Sequence, residues 1–171
     1  NRIGEHYFTE AGKSSFRTDV VACGFCYKYD DRGRLLTQDY VDGDNHLVTN
    51  KYGFAQVRWR YDDNGFANQI EFFDKDGKRT NNTTDDGEVY SKNMMKVDDR
   101  GLCLSSAYFD VKERPIENSF GVHQMDCEYD SVGRLILIVS LDKDLHLARN
   151  SGFDCKMRYA YNKLGQRESI S

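Results

Sequence analysis

One phrase, Tyr-Asp-x-x-Gly, returns along this chain at near-constant spacing, and it limits the available folds more than any other feature. It stands as "CYKYDDRGRLL" from Cys26, "RWRYDDNGF" from Arg58, "MKVDDRGLCL" from Met95, "CEYDSVGRLIL" from Cys127 and "RYAYNKLGQRE" from Arg158. With the residue before Asp as marker, the copies begin at Tyr29, Tyr61, Val97, Tyr129 and Tyr161, at intervals of 32, 36, 32 and 32 residues. A period of this length means that each unit is one supersecondary element which buries its apolar face against its neighbours. The four extra residues fall within "GKRTNNTTDDGE", Gly77–Glu88, the most polar stretch of the chain, and this loop is expected to protrude and to offer a contact or cleavage site.

Columns through the repeat carry the local physics. Four residues after the marker stands glycine in every copy: Gly33, Gly65, Gly101, Gly133 and Gly165. One residue after it stand Asp30, Asp62, Asp98, Asp130 and Asn162. An Asp side chain that accepts backbone N–H bonds, followed by Gly at a φ > 0 position, predicts a type I turn closed by a G1 bulge. Thirteen residues after the marker a second aspartate recurs as Asp42, Asp74, Asp110 and Asp142, which reads as a second turn. Between turns the apolar residues alternate: Ala55, Val57, Trp59 and Tyr61 in one copy, Leu135, Leu137, Val139 and Leu141 in another. Alternation predicts half-buried strands, and no segment has a helical apolar stripe. The expected fold is all-β: tandem antiparallel β-hairpin repeats forming an extended meander, twisted ribbon or solenoid. It occupies 1–171 as one repeat domain, with units at about 1–28 (partial), 29–60, 61–96, 97–128, 129–160 and 161–171 (partial).

The phrase "YKYDDRGRL", Tyr27–Leu35, and its partner "CEYDSVGRL", Cys127–Leu135, resemble the YD/Rhs repeats of bacterial surface and toxin proteins. The whole unit, in "YGFAQVRWRYDDNG" and "YDDNGFANQIEFFDKDGKRT", is similar to longer bacterial repeats that run Y-D-x-x-G, then Y-F-D-x-x-G-K-P, then G-Y-A. The resemblance covers nearly the whole chain from His6 onward. It implies a β-hairpin repeat and a non-catalytic region of a multidomain bacterial protein.

Composition narrows the function classes. A net charge of −4 and no Lys/Arg stripe argue against nucleic acid as a partner, and no apolar run reaches membrane-spanning length. The chain opens on Asn1 rather than Met, which reads as a piece of something longer. The five cysteines, Cys23, Cys26, Cys103, Cys127 and Cys155, follow no pairing framework. They are read as free thiols, which favours a cytoplasmic setting, with the cell surface or secretion as alternatives.

Three motifs invite chemistry. "CGFC", Cys23–Cys26, has C-x-x-C spacing but leads into a strand and lacks a second ligand pair, so packing cysteines are expected rather than a metal or redox site. "DGDN", "DKDG" and "DKDL" contain D-x-D, yet none continues as a calcium loop, and turn chemistry accounts for the aspartates. No metal, cofactor or catalytic residue is nominated, and the chain is expected not to be an enzyme. Tyr27, Trp59 and Tyr159 share the column two before the marker and are the candidate binding residues. Repeated aromatics there could line a ladder for sugar rings or a partner chain, or could face the core of the sheet, since Met95 and Cys127 fill the same column elsewhere. The expected role is a non-catalytic module that binds or scaffolds another protein or domain. The alternatives are cell-surface carbohydrate binding, and the regulatory or substrate part of an enzyme system whose catalytic domain lies elsewhere.

Overall fold

A computed structural model describes residues 2–9, 11–85, 89–148 and 155–170. Eleven strands form one antiparallel meander: β1 (Arg2–His6), β2 (Gly24–Tyr29), β3 (Leu35–Val41), β4 (Gln56–Tyr61), β5 (Ala67–Phe73), β8 (Lys92–Val97), β9 (Cys103–Phe109), β10 (Gln124–Tyr129), β11 (Leu135–Leu141), β12 (Lys156–Tyr161) and β13 (Arg167–Ile170). Two short strands, β6 (Asn82–Thr83) and β7 (Val89–Tyr90), pair separately. Every strand of the large sheet pairs with the nearest strands of that sheet in the chain, and the sheet is not closed into a barrel. The all-β meander of hairpins expected from the repeat is therefore the observed architecture.

The recurring phrase is the tip of each hairpin. All five strands that end on a marker are six residues long and run into the turn; the return strand starts six residues after the marker. Asp30 Oδ1 accepts hydrogen bonds from the backbone N–H of Arg32 and of Arg34, each at 2.9 Å, and Gly33 takes φ +78°. Asn162 does the same for Leu164 and Gln166, so an amide serves where the aspartate is missing. Pairing slips by one residue at Lys28/Tyr29, Arg60/Tyr61, Lys96/Val97, Glu128/Tyr129 and Ala160/Tyr161, as a bulge next to the turn requires.

The rest of the phrase joins one hairpin to the next. The Tyr61 hydroxyl donates to the carbonyl oxygen of Leu35 at 2.8 Å; Tyr129 does so to Cys103 at 3.0 Å and Tyr161 to Leu135 at 2.8 Å. Arg34, held through Nε by Asp30 Oδ2 at 2.6 Å, lies over the ring of Tyr61 with its guanidinium carbon 4.8 Å from the centroid. Arg134, Asp130 and Tyr161 repeat this arrangement. In the middle copies Phe66 and Leu102 take the arginine's position and cover the glycine of the following turn. A β-carbon on Gly101 would lie 2.6 Å from Phe66, so that glycine is needed for closeness as well as for φ.

At the opposite end of the strands each full unit makes a second aspartate turn. Asp42, Asp74, Asp110 and Asp142 each accept two backbone N–H bonds, and the left-handed residues are Asn45, Gly77, Glu113 and Leu145. A third turn follows, in which Asn50 Oδ1 accepts from Tyr52 and Phe54, and Asn118 Oδ1 from Phe120 and Val122. The links through "YGF" and "FGV" are thus ordered Asn-x-x-Gly turns; the corresponding "SGF", residues 151–153, lies outside the described residues.

Most of the core gathers at this end of the sheet. Ala22, Phe25, Tyr40, Phe54, Val57 and Phe72 form a buried cluster, and Tyr7, Val48, Tyr52 and Tyr90 pack against it. Rings meet in sequence from Tyr7 through Phe25, Tyr40, Phe54, Phe72 and Tyr90 to Tyr108, with centroids 4.8–6.0 Å apart and several edge-to-face. Such pairs add about 0.5–1.5 kcal/mol each beyond the area they bury. The inserted loop does not simply project. Thr83 N–H bonds to the Tyr52 carbonyl at 2.8 Å, and Asp85 holds Lys51 Nζ at 3.0 Å and the Tyr52 hydroxyl at 3.2 Å, so it docks on the unit before it. Residues 86–88 of that loop lie outside the described residues.

Candidate binding faces of the sheet

Strand alternation gives the sheet two chemically different faces. Tyr27, Trp59 and Tyr159 all point to the face that carries the aromatic ladder, as their shared column requires. Tyr27 lies between Phe25 and Tyr29, with ring centroids 6.2 and 6.5 Å away, and burial raises its hydroxyl pKa. Trp59 is half-buried and, like Tyr27, packs against the core cluster. Tyr159 is half-buried on β12, with Arg167 over its ring at 5.6 Å and its hydroxyl 3.8 Å from Met157 Sδ. Tyr27 and Trp59 share the core cluster, but Tyr159 stands six strands further along the sheet from Trp59. At a strand spacing of about 4.8 Å that separation is roughly 29 Å, so the three do not converge on one ligand.

The cysteines are all free: Cys23 and Cys26 are buried, and Cys103, Cys127 and Cys155 are half-buried. Burial raises the thiol pKa of Cys103 and Cys127, which keeps them protonated and unreactive near neutrality. The column of Cys23 continues as Ala55, Ser91 and His123, all buried, so it is an interior position of the fold. His46 and His146 are exposed beside the turn aspartates Asp42 and Asp142. Asp42, Asp44 and His46 bring three possible metal-binding atoms within 4.8 Å of one another. Asp42 Oδ1 is already engaged by the backbone N–H groups of Asp44 and His46, and turn closure accounts for the cluster.

The face opposite the ladder is polar. Cross-strand register places Lys28, Thr37, Arg58, Glu71 and Lys92 in one row, each directly opposite the next. Glu71, only 2% exposed, is held by Arg79, with Arg60 Nε 3.6 Å from its second oxygen. Arg79 also reaches Glu113, and Glu113 in turn pairs with Lys92, which lies over the ring of Phe109. A buried carboxylate is tolerable only with such partners, because desolvation is not repaid otherwise. The members of this network fall in different columns of the repeat: Arg60 shares its column with Lys28 and Lys96, and Glu71 with Asp39, so the turn phrase itself does not single them out.

No protein-family model matches the chain, and no curated protein matches it. Among solved structures it is similar to a chain of "Crystal Structure of TcdB2-TccC3-Cdc42", with 16% identity and a TM-score of 0.33 over 86% of this chain and 7% of that one. A second similarity, to a chain of "Crystal Structure of TcdB2-TccC3-TEV", has 12% identity and a TM-score of 0.25 over 98% of this chain and 11% of that one. The chain therefore spans about a tenth or less of the length of these neighbours.

Proposed function

We propose that this chain is a non-catalytic β-repeat module that binds or positions another protein or domain within a larger bacterial assembly. The observation that carries the reading is the open sheet: its outer strands, β1 and β13, each pair on one side only within the large sheet. An unpaired strand edge presents backbone N–H and C=O groups to a partner, and a repeat array is stable only when its terminal faces are covered. Ile3, Phe8 and Phe16, near the β1 edge, are exposed apolar side chains that a neighbour would shield. The bacterial setting rests on the resemblance of the Tyr-Asp-x-x-Gly phrase. The test is co-purification of the chain from its native extract through a sizing column, with mass spectrometry of what remains bound. One protein recovered in stoichiometric amount is the expected result. A monomer that retains no protein would overturn the reading; Trp59 fluorescence against a sugar panel would then test carbohydrate recognition.

A further inference from the structure

The polar face contains an open groove of about 410 Å³ lined in part by Lys28, Thr37, Arg58, Arg60, Glu71 and Arg79. Its charges are not balanced. The Arg60–Glu71–Arg79–Glu113–Lys92 network already holds one more cation than carboxylates. Lys28 and Arg58 add two cations on the neighbouring strands, within a chain whose net charge is −4. Among the described residues Lys28 has no ion-pair or hydrogen-bond partner for its ammonium group. Arg58 is oriented but not neutralised: its Nε donates to Gln56 Oε1 and its guanidinium lies 3.7 Å from the centroid of Phe73. That leaves both Nη groups without an acceptor among the described residues. Glu71 faces Arg58 in register but is committed to Arg79 and Arg60. The other carboxylate nearby, Asp39, accepts from Gln56 Nε2 at 2.5 Å.

Thr37 stands directly between Lys28 and Arg58 in the row, and strands about 4.8 Å apart put the two cations on either side of its hydroxyl. An oxyanion above Thr37 would meet a hydroxyl donor, an ammonium and a pre-positioned guanidinium fork, the arrangement that suits carboxylates. We infer that this groove docks an acidic segment of a partner protein, with a carboxylate seated over Thr37 between Lys28 and Arg58. The inference rests on the proposed role as a protein-binding module and names the chemistry of its partner. A polynucleotide fits less well, because its many phosphates would meet the net negative charge of the remaining surface.

The experiment titrates the whole chain into a fluorescein-labelled ten-residue poly-glutamate peptide, read by fluorescence anisotropy at low and at physiological salt. Wild-type protein is expected to bind, more weakly at higher salt. The Lys28→Gln, Arg58→Gln double variant is expected to bind about tenfold or more weaker, as loss of close charge pairs implies. Arg100→Gln, in the turn at the far end of a hairpin, should leave binding unchanged. If the double variant loses its thermal unfolding transition, Lys28→Gln alone, at an exposed position, replaces it and should weaken binding severalfold. Equal affinity for wild type and variant, or no binding at low salt, overturns the inference. So does displacement of the peptide by an equal concentration of inorganic phosphate, which would make this a simple anion site. Should the native partner still co-purify with the double variant, the groove assignment fails while the module reading stands. Should nothing co-purify with wild type, the module reading fails whatever the peptide does.

Discussion

From Tyr7 to Tyr108 each successive position along the core contributes an aromatic ring, and each ring touches the next. Beyond Tyr108 the same two columns hold Val122, where Phe54 and Tyr90 stand earlier, and Ser140, where Tyr40, Phe72 and Tyr108 stand earlier. Backbone geometry hardly changes across this boundary: the turns, bulges and registers repeat in both halves. What changes is the interior. Among the described residues eleven of the buried hydrophobic ones, Ala22 to Phe73, lie in the first half, and Ala107, Val122, Leu137 and Ala148 lie beyond. Repetition of turn chemistry therefore sets the shape of the sheet, while the side chains at two columns decide how firmly each part is held.

The largest test of that contrast is truncation in the two halves. Phe54→Ala should cost about 3–5 kcal/mol, through lost burial and the cavity left between Tyr40 and Phe72. Val122→Ala, at the equivalent position, should cost only about 2 kcal/mol. Urea unfolding of both variants measures this, and equal losses would break the comparison. Next in size is the glycine pair. Gly101→Ala meets Phe66 as well as a left-handed backbone and should cost about 2 kcal/mol, whereas Gly33→Ala, with nothing within 4 Å, should cost about 1 kcal/mol. Adding Phe66→Ala to Gly101→Ala should bring a penalty well short of the two single losses combined, because the clash is shared.

A smaller effect of opposite sign is expected at the ladder's gap. The Ser140 hydroxyl is fully buried and has no hydrogen-bond partner among the described residues, so Ser140→Ala should stabilise by about 1 kcal/mol, seen as a higher urea midpoint. The halves should differ least in their response to acid. Asp30, Asp42, Asp110, Asp130 and Asp142 are held below the ordinary value of 3.8, in each case chiefly by the backbone N–H four residues on. A depressed carboxylate stabilises the fold above its unfolded value and loses that contribution as pH falls through its folded value. The urea midpoint should therefore decline as pH drops below about 3.8. Asp42→Asn and Asp142→Asn should flatten the decline to a similar degree, since Asn162 already closes its turn without a titrating group.

The hairpins were readable because their chemistry is local: Asp30 and Gly33 select a turn with no help from the rest of the molecule. The third turn obeys the same rule under a different letter, since Asn50 with Gly53 and Asn118 with Gly121 repeat the Asp-x-x-Gly spacing with an amide in place of the carboxylate. The linkage between hairpins was less accessible, because contacts such as Tyr61 to Leu35 span 26 residues and appear only once the register is known. Least legible was the polar groove. Lys28, Thr37 and Arg58 meet through pairing across three strands, and nothing in their sequence positions marks them as neighbours.

The strictly sequential meander also decides how this chain would respond to tension. β1 and β13 lie at opposite margins of the sheet, and among the described residues no strand crosses over another to lock the pile. Pulling the ends apart would load the hydrogen bonds of an outer strand one after another instead of all together, so the sheet would peel hairpin by hairpin. Peeling from the β13 margin should meet little resistance until it reaches Tyr108, where the continuous stack of rings begins. Extension would then release the chain in steps of about one repeat, and a relaxed chain could re-form from whichever hairpins stayed intact.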